Sequence, residues 1–241
     1  MKQSLDGRTV LITGANGGLG TEFVKQALER GAKKVYAAAR SPKQWEDANV
    51  QAIALDITNP ADIARAVASA PDVDLLINNA GIAPAGDSIT GPTDQLRSIF
   101  ETNFFGTLAL ANAFAPVLAT NGGGTMLNIL SAAAWLSVPT GYAASKAAMW
   151  SATNALRLAL AGQGTKVIGL LVGMVDTPMT TAWDIPKVSA ASVVGKAYDG
   201  IEAGLLEILA DEPSNELKAR LSLKGEELYP WMDEQLRGFF S

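Results

Sequence analysis

Tyr142 and Lys146 stand four residues apart in a stretch of helical periodicity, so both side chains project from one face of a helix. A free tyrosine has a pKa near ~10, too high to exchange a proton readily at neutral pH, and an ammonium a few ångströms away favours the phenolate. Taken alone, such a pair is a common surface arrangement. Ser131, however, closes the preceding strand-like run, which would place a hydroxyl at the carboxyl edge of a sheet. The chain has no His and no Cys, which excludes His-based triads, thiol nucleophiles, disulfides and zinc sites built on N or S ligands. No metal site is expected, and proton transfer must use Tyr, Lys, Asp or Glu.

The elements that would position these groups follow from periodicity. Short aliphatic or β-branched runs at Thr9–Thr13, Lys34–Ala39, Val50–Leu55, Leu75–Asn78, Gly124–Leu130 and Lys166–Val172 read as strands. Helical patterns lie between them, at Leu19–Arg30, Pro60–Ser69, Thr93–Thr120 and Gly141–Ala161, closing on Gly, Pro or an Asn-Gly-Gly-Gly turn. Strands apolar on both faces and each followed by a helix imply a doubly wound parallel α/β sheet. We expect one Rossmann-like domain over residues 1–241, a sheet of six strands, a substrate lid at Thr177–Ser189 and a helical C-terminal part from Ala190 to Ser241. No β-branched strand is legible in that last part.

The first strand runs into Thr13-Gly14-Ala15-Asn16-Gly17-Gly18-Leu19-Gly20, where a helix begins. Glycines let the backbone turn tightly and approach a pyrophosphate, and the N–H groups and positive dipole of the helix start hold the anion. Its place at the first strand-to-helix turn is the context a dinucleotide fingerprint requires. The second strand ends Ala37-Ala38-Ala39-Arg40 with no carboxylate, so Arg40 either meets a ribose 2′-phosphate, favouring NADP(H) over NAD(H), or is solvated at the strand end. Asp56 could accept from an adenine amino group or cap the helix starting near Pro60.

With 19 Lys plus Arg against 24 Asp plus Glu, the net charge is −5 and no basic run is present, so nucleic acid is not an expected partner. The first eight residues are polar, and the apolar stretch Phe104–Ala119 is interrupted by Asn112 and Pro116 and falls short of the ~20 residues that span a bilayer. A cytoplasmic protein without membrane contact is the expectation.

Together, Thr13-Gly14 through Gly20, Asp56, Asn78-Asn79-Ala80-Gly81, Asn103, Ser131, Tyr142, Lys146 and Gly173…Thr177 resemble the short-chain dehydrogenase/reductase family, in its T-G-x-x-x-G-x-G and Y-x-x-x-K subgroup. The resemblance implies that Tyr142 is the general acid or base, that Ser131 bonds the substrate oxygen, and that Lys146 lowers the Tyr142 pKa and holds the nicotinamide ribose. Asn103 would anchor a water in a proton relay from Lys146. Gly14, Asn16, Gly18, Leu19, Gly20, Arg40, Asp56, Ile57, Asn79, Ala80, Gly81, Gly173, Val175 and Thr177 would contact the cofactor, Thr177 at the nicotinamide carboxamide or the phosphates. Three departures stand out. Val172-Gly173 replaces the family's Pro-Gly, Ser131 lies eleven residues before Tyr142, two closer than is common, and the terminal strand ending in Asp-Gly-Gly has no visible counterpart.

The implied activity is hydride transfer between NADP(H) and a ketone, aldehyde or secondary alcohol. NAD(H) preference on the same fold and a non-catalytic NADP(H)-binding sensor are the alternatives. Trp135, Leu136, Val138, Met174, Met179 and Trp183 suggest an apolar substrate. Without a terminal strand, a homodimer through Thr93–Thr120 and Gly141–Ala161 is expected in place of a tetramer.

Overall fold

A computed structural model describes residues 5–136 and 138–237. β1 (Thr9–Thr13), β4 (Leu75–Asn78) and β5 (Thr125–Ile129) are buried at every position, and β2 (Lys34–Ala39) and β6 (Lys166–Leu171) at all but their first. Strands of this kind need helices on both faces. Alternate strand residues divide accordingly into two cores. Val10, Ile12, Leu75 and Ile77 pack against α1 (Gly18–Glu29) and α6 (Ala190–Glu202) through Phe23, Val24, Val193 and Tyr198. Leu11, Tyr36 and Leu76 pack on the opposite face with Ile63 of α2 (Pro60–Ser69), Phe114 of α4 (Thr107–Thr120) and Met149 of α5 (Gly141–Ala159).

The sheet has seven parallel strands, which corrects the expectation of six. With β3 (Val50–Ala54) at one edge and β9 (Glu207–Leu209) at the other, the order is β3-β2-β1-β4-β5-β6-β9, and β9 pairs with β6 at Gly169↔Glu207, Leu170↔Ile208 and Leu171↔Leu209. The strand is hidden in the sequence because Ile201, Leu205 and Ile208 continue the helical spacing of α6. What breaks that spacing is Gly204, held at φ +70°. Leu205 N–H bonds Gly200 O at 3.0 Å and Gly204 N–H bonds Ile201 O at 3.1 Å, a Schellman stop that turns the chain into the sheet. The C-terminal region is therefore α6, β9, α7 (Glu212–Arg220) and α8 (Gly225–Leu236), and residues 238–241 of the expected helical part lie outside the described residues. With β9 present, a lost terminal strand no longer favours a dimer over a tetramer.

Two further details shape the site. The helix expected over Thr93–Thr120 is α3 (Thr93–Phe100) and α4 joined by a π-helical turn, Glu101–Gly106, which carries Asn103; such turns recur at functional positions. By length and composition this helix could cross a membrane, but Leu110, Ala111, Phe114 and Leu118 are spent on the sheet. The segment after β6 is drawn together by two short parallel strands, β7 (Val175–Asp176) and β8 (Val188–Ser189), which tie the ends of the expected lid.

Candidate active site

The carboxyl ends of the parallel strands form one rim, and nearly every residue singled out in the sequence lies on it. At β1 the chain turns at Gly14, whose φ of +66° suits glycine. Gly20 explains the motif's last position, since a Cβ there would stand 2.1 Å from Gly14 O. The N-terminus of α1 has neither a side-chain cap nor an acidic residue in its first turn, so its dipole is left for an external anion. Gly18 lies against Thr177, at 3.4 Å from where its Cβ would be, which brings together the two cofactor segments containing them. The backbone cradle, the uncapped helix start and the absence of a carboxylate together fit a dinucleotide pyrophosphate.

Asn16 links this turn to the end of β2. Its amide donates to Ser41 O at 2.6 Å and its oxygen accepts from Lys43 N at 3.2 Å, so the exposed Arg40 is carried on a loop fastened to the glycine turn. Asp56 does not cap α2; Asn59 does, accepting from Ala61 N at 2.9 Å. Asp56 instead accepts from Thr58 N and Thr58 Oγ1 at 2.9 and 2.7 Å. These bonds, the backbone one first, hold its carboxyl below the usual range against a smaller opposing effect of burial, with help from the Arg40 charge. Ile57 beside it is buried in the core. Asn79 and Ala80 both donate backbone N–H to Thr13 Oγ1 at 3.0 Å, and the Asn79 amide reaches Thr13 O at 2.8 Å. Thr13, quoted in the motif but given no role, is thus the residue that locks the β4 end onto the β1 turn.

Ser131, Tyr142 and Lys146 converge as expected. Ser131 is buried in extended conformation at the end of β5, its hydroxyl donating to Val172 O at 3.4 Å, accepting from Ala133 N at 3.2 Å and near enough to Tyr142 to lower the phenol's pKa. Lys146 is buried, with Nζ 5.6 Å from the centroid of the Tyr142 ring. Burial pushes the phenol upward, opposed by its hydrogen bond with Ser131, and pulls the ammonium down to about 8. Lys146 Nζ donates to Ile129 O at 2.8 Å, and the phenol stands above its ordinary value, not below it as the resemblance implies. Asn103 stands behind the pair. Its side chain is committed to structure: the oxygen accepts from Ile82 N at 2.8 Å, and the amide donates to Ile82 O at 2.9 Å and to Ser145 Oγ at 3.1 Å. Gly81 separates it from Lys146, for a Cβ there would lie 3.2 Å from Asn103 Oδ1 and 3.8 Å from Lys146 Nζ.

Two carboxylates escaped the sequence reading. Asp211, buried just after β9, accepts from Gly173 N at 2.8 Å and caps α7 through Ser214 N at 3.1 Å. It anchors the chain that continues to Val175 and Thr177. Its only signal was an Asp-x-x-Ser cap pattern following a strand that went unrecognised. Asp87, in the loop after β4, accepts from Gly141 N and Tyr142 N, and nothing local in the sequence announces it. The apolar candidates divide. Trp135 and Leu136 pack against Leu217, Leu228 and Met232 of the C-terminal helices, with Trp135 edge-on to Trp150, so both serve the core. Met179 and Trp183 are exposed on the segment between β7 and β8. Leu136 and Val138 also line a cavity of about 240 Å³ that touches neither Ser131 nor Tyr142.

Residues 8–187 match the family described as short chain dehydrogenase. The ketoacyl reductase HetN of Nostoc is 30% identical over 260 aligned positions, covering 98% of this chain and 90% of that one. An uncharacterized oxidoreductase of Staphylococcus haemolyticus is 34% identical, covering 75% and 83%. Among solved structures, a short chain dehydrogenase of Burkholderia cenocepacia in complex with NADP superposes with a TM-score of 0.88 at 34% identity, covering 95% and 98% of the two chains. The 3-ketoacyl-(acyl-carrier-protein) reductase of Brucella melitensis complexed with NADH gives 0.78 at 26%, covering 85% and 96%. The match across three quarters of the chain, on a rim that places Ser131, Tyr142 and Lys146 together, makes this protein a member of the short-chain dehydrogenase/reductase family.

Proposed function

We propose that this oxidoreductase reduces a ketone or aldehyde, or oxidises the corresponding secondary alcohol, with NADP(H) in preference to NAD(H). The observation that carries the reading is the convergence of half-buried Tyr142 with buried Ser131 and Lys146 in a chain without histidine. When bound, the dinucleotide supplies or takes up the hydride. The chain's own residues do the rest. Gly14, Gly18 and Gly20 with the free start of α1 hold its pyrophosphate, and the 79–81 and 173–177 segments flank them. Burial keeps the Tyr142 phenol protonated at neutral pH, so it can donate to a carbonyl oxygen that the Ser131 hydroxyl also engages. Lys146 places a positive charge under the ring, and the Asn103 side chain braces the loop after β4.

Preference for NADP(H) is supported by Arg40, by the absence of a carboxylate at the end of β2, and by the NADP bound to the Burkholderia relative. Reduction of a ketone is supported by the two relatives named as ketoacyl reductases. An apolar substrate is supported by Met179 and Trp183, exposed on the tied segment that we assign as its lid.

A panel of apolar and acyl-type ketones, assayed with NADPH and with NADH at the nicotinamide absorbance, tests the reading. Turnover with NADPH favoured is expected, and turnover of none with either nucleotide overturns it. Arg40→Asp should then forfeit a charge-assisted pair worth about 1.5–3 kcal/mol and move the preference toward NADH. An unaltered ratio of the two kcat/KM values would remove Arg40 from the specificity argument.

A further inference from the structure

The loop after β4 is fastened to the start of α5 by Asp87, which is not among the residues that carry the family resemblance. At its start, Ile82 is held by Asn103 on both its N–H and its carbonyl. At its end, Ile89 N donates to Pro139 O at 3.0 Å. Between these points the Asp87 carboxylate spans the start of α5, with Oδ1 accepting from Gly141 N at 2.9 Å and Oδ2 from Tyr142 N at 2.7 Å. The Thr140 hydroxyl accepts from the next N–H, that of Ala143, at 3.1 Å.

The first N–H groups of a helix have no partner within it. A carboxylate there gains from two charge-assisted bonds and from the helix dipole. Because each oxygen takes one of two consecutive peptide groups, the contact fixes both peptide planes and so the direction in which the Tyr142 side chain leaves the backbone. Gly141 leaves room for this: a Cβ would lie 3.1 Å from Asp87 Oδ1, 2.6 Å from Leu96 Cδ2 and 3.2 Å from Ile99 Cδ1. Removing the carboxylate would free the first turn just where the phenol must stay in register with Ser131 and Lys146.

We propose that Asp87 is a positioning residue for the reaction, acting through the backbone of Tyr142 to hold its phenol in register. The proposal rests on the function assigned above. Its test compares Asp87→Ala and Asp87→Asn with Asp94→Ala, a control whose side chain is 97% exposed. On a ketone that the wild type reduces, Asp87→Ala should lower kcat on the order of tenfold to a hundredfold, the usual scale for a misplaced reacting group, while NADPH affinity and substrate KM stay unchanged. Asp87→Asn keeps one acceptor oxygen and should recover part of the rate. Amide hydrogen exchange at Gly141 and Tyr142 should quicken in Asp87→Ala with the later turns of α5 unaltered, and Asp94→Ala should show neither effect. Wild-type kcat in Asp87→Ala, or a fall in rate matched by equal losses of NADPH affinity and of protection throughout α5, would overturn the role. A wild type that reduces no ketone sinks the functional reading before any variant is made, so the two failures are separable.

Discussion

Replacing Lys146 with methionine should abolish turnover and yet make the folded protein more stable at neutral pH. Lys146 is buried, and its one hydrogen bond within the described residues is to Ile129 O. Burial brings its pKa from 10.5 down to about 8. A lysine whose folded pKa is depressed binds fewer protons folded than unfolded between those two values, so stability rises as the pH climbs through that window and the penalty is complete below it. At 1.36 kcal/mol per pKa unit, the charged side chain costs about 3 kcal/mol at pH 7 and about 1 kcal/mol at pH 9.5. Methionine keeps the unbranched apolar stem, avoids that cost, and gives up a hydrogen bond worth about 1 kcal/mol. Urea unfolding of wild type and Lys146→Met at both pH values reads the difference, and comparison between the two proteins cancels other titrating groups. The variant should be more stable by about 2 kcal/mol at pH 7, with the gap closing toward zero at pH 9.5. A variant less stable at pH 7, or a gap that does not change with pH, would refute the claim that a buried ammonium with no carboxylate partner among the described residues is maintained at the expense of stability.

Gly20→Ala should weaken NADPH binding and destabilise the fold by about 1–3 kcal/mol, because the new methyl would collide with backbone at Gly14 O and Ala15 Cα; calorimetric titration and thermal melting check this, and unchanged affinity would contradict the cradle. The direction of the Tyr142 shift gives a pH prediction. Reduction needs the protonated phenol and should hold steady through neutral pH, since burial raises that pKa, whereas alcohol oxidation needs the phenolate and should climb with pH into the alkaline range. A reductive rate that falls steeply below pH 8 would count against Tyr142 as the acid. Gly81→Ala should lower kcat by inserting a methyl beside Asn103 Oδ1 and Lys146 Nζ, and a variant with the wild-type rate would show that their spacing is unimportant.

The site was legible wherever a residue's chemistry coincided with a strand end. Ser131, Tyr142, Lys146, the glycine turn and Asn79 could be placed because runs such as Leu75–Asn78 and Lys166–Leu171 are apolar on both faces and so announce buried parallel strands. β9 was not legible, because three residues carry too little periodicity to compete with the helical spacing that precedes them, and only the positive φ at Gly204 separates the two. Asp87 and Asp211 were missed for a different reason. Their roles are contacts to the backbone N–H of Gly141, Tyr142 and Gly173, 54, 55 and 38 residues away, and a backbone partner leaves no trace in residue types. Trp135 and Leu136 looked like substrate contacts because an apolar side chain near a site reads the same whether it faces a ligand or the packed helices that in fact cover it.

The central claim, that Tyr142 passes the proton in an NADP(H)-dependent carbonyl reduction, is tested most directly by comparing Tyr142→Phe with the wild type. The assay is single-turnover NADPH oxidation on a ketone that the wild type reduces, alongside NADPH titration. Phenylalanine removes the hydroxyl and little else, so turnover should disappear while NADPH affinity stays close to that of the wild type. A variant that retains substantial turnover would contradict the account.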